Sequence, residues 1–247
     1  MDKNCSFWFN SMMKFSLLWL MLVCHTVYAG TYSVQVGNQK ILIKQFNYGR
    51  GKTFIHVHQN ETTALKAAKS VAKKKGGRVL TLVHSGERNI SFRLRGQQYE
   101  FDPNRIFTDA GIKKTLQEFS HYSPAAKIEV KKLANKIIRL LPKGKVIAVH
   151  NNINKTYSLK EYYPGKPLAK DIRAMSVRAK YQYRNFYLVT HRQDYSRLKK
   201  LRYNIVWQAR SVTDDGSLSV FLKHRKYVNV EAGYDQLAAQ IKMLKHA

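Results

Sequence analysis

The amino-acid sequence predicts an α/β sandwich built around a mixed, mostly parallel sheet. Short β-branched and aromatic runs alternate along the chain with Ala-, Lys- and Leu-rich stretches of helical character, the order that produces crossover units. Hydrophobic residues make up 44% and charged residues 24%, which suits a chain with a core rather than a disordered one. Three apolar runs also finish on a residue able to bind a metal or move a proton: His58, His150 and Glu231.

Residues 54–58 (FIHVH) read as a short strand. Residues 62–75 (TTALKAAKSVAKKK) have high helix propensity and stop at Gly76-Gly77. Residues 78–83 (RVLTLV) form the next strand, and 90–94 alternate, with Phe92 and Leu94 opposed to Arg93 and Arg95. Residues 124–141 are the clearest amphipathic helix. Val130, Leu133, Ala134, Ile137, Ile138 and Leu141 recur at helical spacing. Ser123 and Pro124 supply an N-cap and a first-turn proline, and Pro142 and Gly144 end the helix. Residues 146–149 (VIAV) are a fully apolar strand that delivers His150. Residues 186–189, 205–207 and 218–222 read as further strands, and 227–230 (YVNV) as one that delivers Glu231. A helix over 234–245 closes the chain. No internal repeat or low-complexity linker divides it, so residues 30–247 are expected to form a single domain.

The first 29 residues have the pattern of a cleaved signal peptide. Lys3 and Lys14 make the N-terminal side positive, residues 15–24 (FSLLWLMLVC) are apolar, and Val27 and Ala29 occupy the small-residue positions before Gly30. The apolar run is too short for a bilayer, which takes about 20 residues. A periplasmic or secreted mature chain without a transmembrane span is therefore expected. Both cysteines, Cys5 and Cys24, fall in this segment, which leaves the mature chain no disulfide and no cysteine nucleophile.

The 44 Lys+Arg against 15 Asp+Glu give a net charge of +29. In a cell envelope that charge favours anionic polymers or acidic substrates. Lys66, Lys69 and Lys73 to Lys75 share one predicted helix, and Lys131, Lys132 and Lys136 another. No Gly-rich phosphate loop, zinc-finger spacing or RNA-binding aromatic motif accompanies them. Nucleic acid is thus not an expected partner. A non-catalytic basic protein that binds an anionic envelope polymer is the expectation from outside the enzyme classes.

In open α/β sheets, sites form beyond the carboxyl ends of strands, where His58, His150 and Glu231 are expected. Glu61 follows His58 by three residues in His58-Gln59-Asn60-Glu61. A tight turn there brings both side chains to one ion. With His150 this makes a two-histidine, one-carboxylate set, leaving the fourth position for water as catalytic zinc requires. His56 is a rival ligand on the same strand face. The spacing to Glu61 favours His58 and leaves His56 to pack beneath the site.

These residues carry a family resemblance. His58-Gln59-Asn60-Glu61-Thr62 resembles the H-x-N-E-T zinc motif of the succinylglutamate desuccinylase/aspartoacylase group, within the carboxypeptidase A-like zinc hydrolases. Residues 101–107 (FDPNRIF) resemble that group's D-x-N-R-x-F segment. Val149-His150-Asn151 resembles its strand-end histidine, and Val230-Glu231 its strand-end glutamate. The landmarks follow the family order and cover residues 54 to about 235.

The resemblance implies a three-layer sandwich around an eight-stranded mixed sheet with one catalytic zinc. It implies that His58, Glu61 and His150 hold the zinc. It implies that Glu231 is the general base that takes a proton from the attacking water and passes it to the leaving amine. It assigns Asn104 and Arg105 to a substrate carboxylate, and an upstream arginine to the developing oxyanion. For that arginine Arg88, Arg93 and Arg95 compete, and Arg88 is preferred for its turn-like approach to a strand. Tyr203, Tyr227 and Tyr234 are candidates for a tyrosine over the substrate. Gln59 and Pro103 depart from the group's usual residues, a small one and a leucine.

The expected function is an exported zinc-dependent hydrolase of an amide near a free carboxylate. A metallocarboxypeptidase or peptide amidase acting on small peptides is the first form of that expectation, and a deacylase of N-acyl amino acids the second.

Overall fold

In the computed structural model, residues 28–153, 157–178 and 182–247 are described. The signal-peptide reading of residues 1–29 lies outside them, apart from the backbone of Tyr28 and Ala29, which opens the first strand. β1 (Tyr28–Val36) and β2 (Gln39–Asn47) form an antiparallel hairpin. Gly37 turns it at φ 53, where a Cβ would stand 2.4 Å from the Arg93 carbonyl oxygen, so no larger residue fits. Then come β3 (Lys52–His56), α1 (Thr62–Lys75) and β4 (Gly77–Val83), with β4 parallel to β3. β5 (Ile90–Leu94) and β6 (Gln97–Phe101) make a separate two-stranded sheet. α2 (Asp109–Phe119), α3 (Pro124–Leu140) and β7 (Val146–Asn152) follow.

Two 3-10 turns, Leu159–Tyr162 and Pro167–Asp171, lead to β8 (Ile172–Ser176) and β9 (Phe186–Val189). α4 (Arg192–Lys200), β10 (Ile205–Gln208), α5 (Leu218–Phe221), β11 (Tyr227–Gly233) and α6 (Leu237–His246) complete the chain.

The main sheet runs in the order β1-β2-β4-β3-β7-β11-β9-β10-β8. Its centre, β4-β3-β7-β11, is parallel, and antiparallel pairs flank it on both sides. Among the described residues this sheet has nine strands, one more than the eight that the resemblance implies. β8, antiparallel on β10, closes the far edge.

Helices cover both faces, as a three-layer sandwich requires. On one face α1 lays Ala64, Ala67, Ala68, Val71 and Ala72 against Phe54, Val79, Ile147 and Val149, with Met243 and Leu244 of α6 and Leu198 of α4 in the same core. The small alanines let the α1 backbone come close to the sheet. On the other face Val130, Leu133, Ala134 and Ile137 of α3 and Ile112 and Leu116 of α2 pack with Ile55, Leu80, Val146 and Ala148. β7 feeds the two cores alternately, because successive side chains point to opposite faces. That period puts His150 and Asn152 on the Val146 and Ala148 face. It puts Asn229 and Glu231 of β11 on the face of Tyr227.

Two expectations need correction. Residues 218–222 are not a strand but the one-turn helix α5, because the Ser217 hydroxyl accepts the Val220 N–H as an N-cap. A four- or five-residue apolar run has no periodicity of its own to decide between the two forms. The strand expected to reach His58 stops at His56. His58 instead closes a turn, with its carbonyl accepting the Glu61 N–H. Among the described residues no helix is long and apolar enough to cross a membrane.

Candidate metal centre

The turn between β3 and α1 brings His58 and Glu61 together. The Glu61 N–H donates to the His58 carbonyl at 3.1 Å and the Thr62 N–H to that of Asn60 at 2.8 Å. Glu61 holds the N-cap position of α1, yet its side chain does not cap the helix. The Ala64 N–H donates instead to Asn151 Oδ1 of β7 at 2.7 Å. That substitute cap satisfies a helix-end donor and leaves the Glu61 carboxylate free to face His58 and His150. Asn151 is fixed in turn by donating to Gln240 Oε1 at 3.0 Å, and Gln240 donates to the His150 carbonyl at 2.9 Å.

Three donors converge there. His58 Nδ1 lies 2.9 Å from Glu61 Oε1, His150 Nδ1 lies 3.0 Å from Glu61 Oε2, and the two Nδ1 atoms are 3.1 Å apart. All three residues are at most 3% exposed. Zinc bonds of about 2.0–2.1 Å in tetrahedral geometry separate neighbouring donors by about 3.3 Å, so the observed spacing fits a zinc ion with little adjustment. The orientation fits as well. His58 donates Nε2–H to Asp102 Oδ1 at 2.7 Å, which turns the Nδ1 lone pair toward the other two donors. Asp102 is itself held. It accepts the Asn104 N–H at 2.7 Å, and its own N–H donates to Thr115 Oγ1 at 2.9 Å. The sequence reading gave Asp102 no role, although it stands in the FDPNRIF segment.

The electrostatics suit a cation. Burial alone would lower the His58 pKa, but Asp102 and Glu61 raise it to about 9. Burial would raise Glu61, but His58 and His150 hold it well below the usual carboxylate range. His56 behaves differently. Burial pushes its pKa down to about 4, and its ring bonds to Thr81 Oγ1 at 2.8 Å and the Glu61 carbonyl at 2.9 Å. It packs beneath the centre rather than joining it.

Glu231 stands beside His150 in the β7–β11 register and is 4% exposed. Asn229 donates to its Oε1 at 3.0 Å and Asn152 to its Oε2 at 3.2 Å. These asparagines lie one pleat from Glu231 and His150, so strand alternation alone would have found them. Burial raises the Glu231 pKa and Glu61 adds to the rise, while His150 opposes it.

Of the three competing arginines only Arg88 reaches the centre, donating to Glu61 Oε1 at 2.7 Å and Asp102 Oδ2 at 3.4 Å. Arg93 points to Gln98 on the outlying hairpin, and Arg95 forms its turn at φ 51. Gln59, between the two ligands of the turn, accepts the N–H groups of His84 and Gly86 and so pins the loop that carries Arg88.

A cavity of about 660 Å³ opens over these groups, lined among others by His58, Glu61, Arg88, His150 and Glu231. Asn104 and Arg105 line it too. Asn104 Oδ1 accepts the Leu218 N–H at 3.2 Å, and Arg105 lies 3.4 Å from Asp215. Tyr227 and Tyr234 are at the cavity, whereas Tyr203 bonds His246 on the opposite core. Tyr157 and Tyr162, which the sequence reading missed, also line the cavity with their hydroxyls in contact. Their only signal was their position shortly after β7.

No protein-family model matches the chain, and no curated protein matches it by sequence. Among solved structures, an aspartoacylase family protein from Mesorhizobium loti MAFF303099 is similar, with a TM-score of 0.43 and 14% identity. The match covers 89% of this chain and 65% of that one, so the chain spans less than two thirds of that protein's length.

Proposed function

We propose that the chain is a zinc-dependent hydrolase of an amide bond close to a free carboxylate, in a small N-acyl amino acid or a short peptide. One observation carries the reading: a His58–Glu61–His150 donor set opens into the same cavity as a buried carboxylate, Glu231, and two arginines. Zinc, when bound, polarises a carbonyl and lowers the pKa of water toward neutrality.

The chain's own residues supply the rest. Glu231, its pKa raised by burial and its oxygens aimed by Asn152 and Asn229, is suited to take a proton from the attacking water. It then returns that proton to the leaving amine. Arg88, half-exposed in the cavity, offers N–H donors to the oxygen that becomes negative. Arg105 gives the substrate carboxylate a planar pair of donors, and its guanidinium is held by donating to the Asn104 carbonyl at 3.3 Å. Action outside the cytoplasm belongs to the same proposal and is supported by the pattern of residues 1–29.

The test is hydrolysis by the zinc-loaded protein of N-acetyl amino acids and N-blocked dipeptides, each with a free and an amidated carboxylate. Turnover of the free acids, loss on amidation and loss in Glu231→Gln are expected. Preference within the panel separates deacylase from carboxypeptidase. If Glu231→Gln acts like the wild type while added salt abolishes function, the protein is a basic polymer binder and the hydrolase reading is wrong.

A further inference from the structure

Four carboxylates line the cavity in a chain with 15 acidic and 44 basic residues. Glu61 and Glu231 belong to the metal centre. Asp171 and Asp215 do not, and the proposed reaction leaves them unused. Asp215 Oδ1 accepts the Ser217 N–H at 2.9 Å, while Oδ2 stands 3.4 Å from Arg105 Nη1. Its side chain is 38% exposed. Asp171 is buried and accepts both the N–H and the hydroxyl of Thr213 at 2.8 Å, which anchors the segment carrying Asp215.

A second observation is independent of these acids. Asn229 and Asn152 are 7% and 4% exposed and line the cavity. Their amide groups are committed to Glu231, yet the carbonyl Oδ1 of each is buried without a hydrogen-bond partner. Buried acceptors are normally paired. These two acceptors lie against Glu231, whereas the acid open to a ligand in the cavity is Asp215 beside Arg105.

The placement of Asp215 sharpens this. A ligand with a carboxylate alone meets Arg105 already partnered by Asp215, and must displace or repel that acid. A ligand carrying an ammonium group beside its carboxylate satisfies both, exchanging one long contact for two ion pairs. We propose that the amine half of the substrate is a diamino acid, with its carboxylate on Arg105 and its second amino group, as an ammonium, on Asp215. This rests on the amide-hydrolase reading for the reaction, but recognition of the diamino acid is measurable without turnover.

The probes are L-lysine and L-norleucine with the α-nitrogen acetylated, which removes the α-ammonium the free amino acids share and leaves the terminal ammonium as their one difference. Their binding to the zinc-loaded full chain is measured by titration calorimetry in a Glu231→Gln background that suppresses turnover, with Asp215 intact, Asp215→Asn or Asp215→Glu. A chain of net charge +29 repels an added cation, so general electrostatics favours norleucine. The expected result is lysine bound at least tenfold more tightly. The preference is expected to collapse to near unity in Asp215→Asn and to persist in Asp215→Glu, a variant that keeps the charge and guards against a merely disturbed loop.

Equal affinities with Asp215 intact, no binding of the acetylated lysine, or an unchanged ratio in Asp215→Asn would overturn the proposal. Hydrolysis of N-acetyl-lysine and N-acetyl-norleucine, measured alongside with Glu231 intact, separates the two readings. A lysine preference in binding without turnover of any amide sinks the hydrolase reading and leaves the diamino site standing. Turnover without that preference does the reverse.

Discussion

The proposed metal cradle and the Arg105–Asp215 wall face one cavity but are built differently. In the cradle, His58, Glu61 and His150 touch one another at 2.9–3.1 Å, are almost fully buried, and are braced by Asp102, Asn151 and Gln240. In the wall, Arg105 and Asp215 are more than a third exposed and meet at 3.4 Å. The first arrangement fixes donors where an ion of fixed radius needs them. The second leaves two opposite charges free to re-pair. Rigidity is concentrated where geometry decides binding, and adaptability where the ligand brings its own charges.

The largest effects should come from breaking the cradle. Glu61→Ala or His150→Ala removes one of three donors, and metal analysis of the purified protein should show zinc falling to background, with secondary structure retained by circular dichroism. Glu231→Gln should keep its zinc and lose about 10²–10⁴-fold in kcat, the usual worth of a general base. Asp102→Asn leaves the three donors in place but loosens the His58 ring. Competition with a chelator should show zinc affinity lower by about 10–100-fold.

The pH profile gives a smaller but signed effect. In the proposed reaction Glu231 acts ionised, and burial raises its pKa, so activity should rise with pH through a midpoint above the ordinary glutamate value. The Asn229 amide favours the ionised form. Asn229→Leu should therefore move that midpoint further up, and a downward move would contradict the assignment. The smallest effect belongs to Gln59→Leu, which frees the loop at His84 and Gly86. A few-fold fall in kcat is expected, with faster amide exchange at those two residues and zinc content unchanged. Gln59→Glu, which keeps the acceptor oxygen, should restore both.

Much of the cradle was legible in the sequence because its signals are local. The apolar run 146–149 delivers His150, and the three-residue spacing of His58 and Glu61 survives the shortening of β3 to His56. α1 and the Ser123-capped α3 were equally readable, since propensity and caps act within a few residues. What escaped depends on distant contacts. Asp102 supports His58 across 44 positions, and Asn151 caps α1 from 87 positions away. Asp215 meets Arg105 only because the segment after β10 folds back onto the FDPNRIF segment, where Gly216 packs against Gly111. β1, β2, β6, β8, α2 and α4 were not read from the sequence, although some carry local signals: the Thr108 hydroxyl caps α2 by accepting the Gly111 N–H, and Ile41 and Ile43 alternate with polar residues in β2.

The central claim is that one ion sits among His58, Glu61 and His150. Anomalous scattering from a crystal of the zinc-loaded protein, recorded at the zinc edge, tests it most directly. The account predicts one strong peak about 2.0–2.2 Å from His58 Nδ1, His150 Nδ1 and a Glu61 oxygen. A peak elsewhere on the chain with the cradle empty, or none at all, would contradict it.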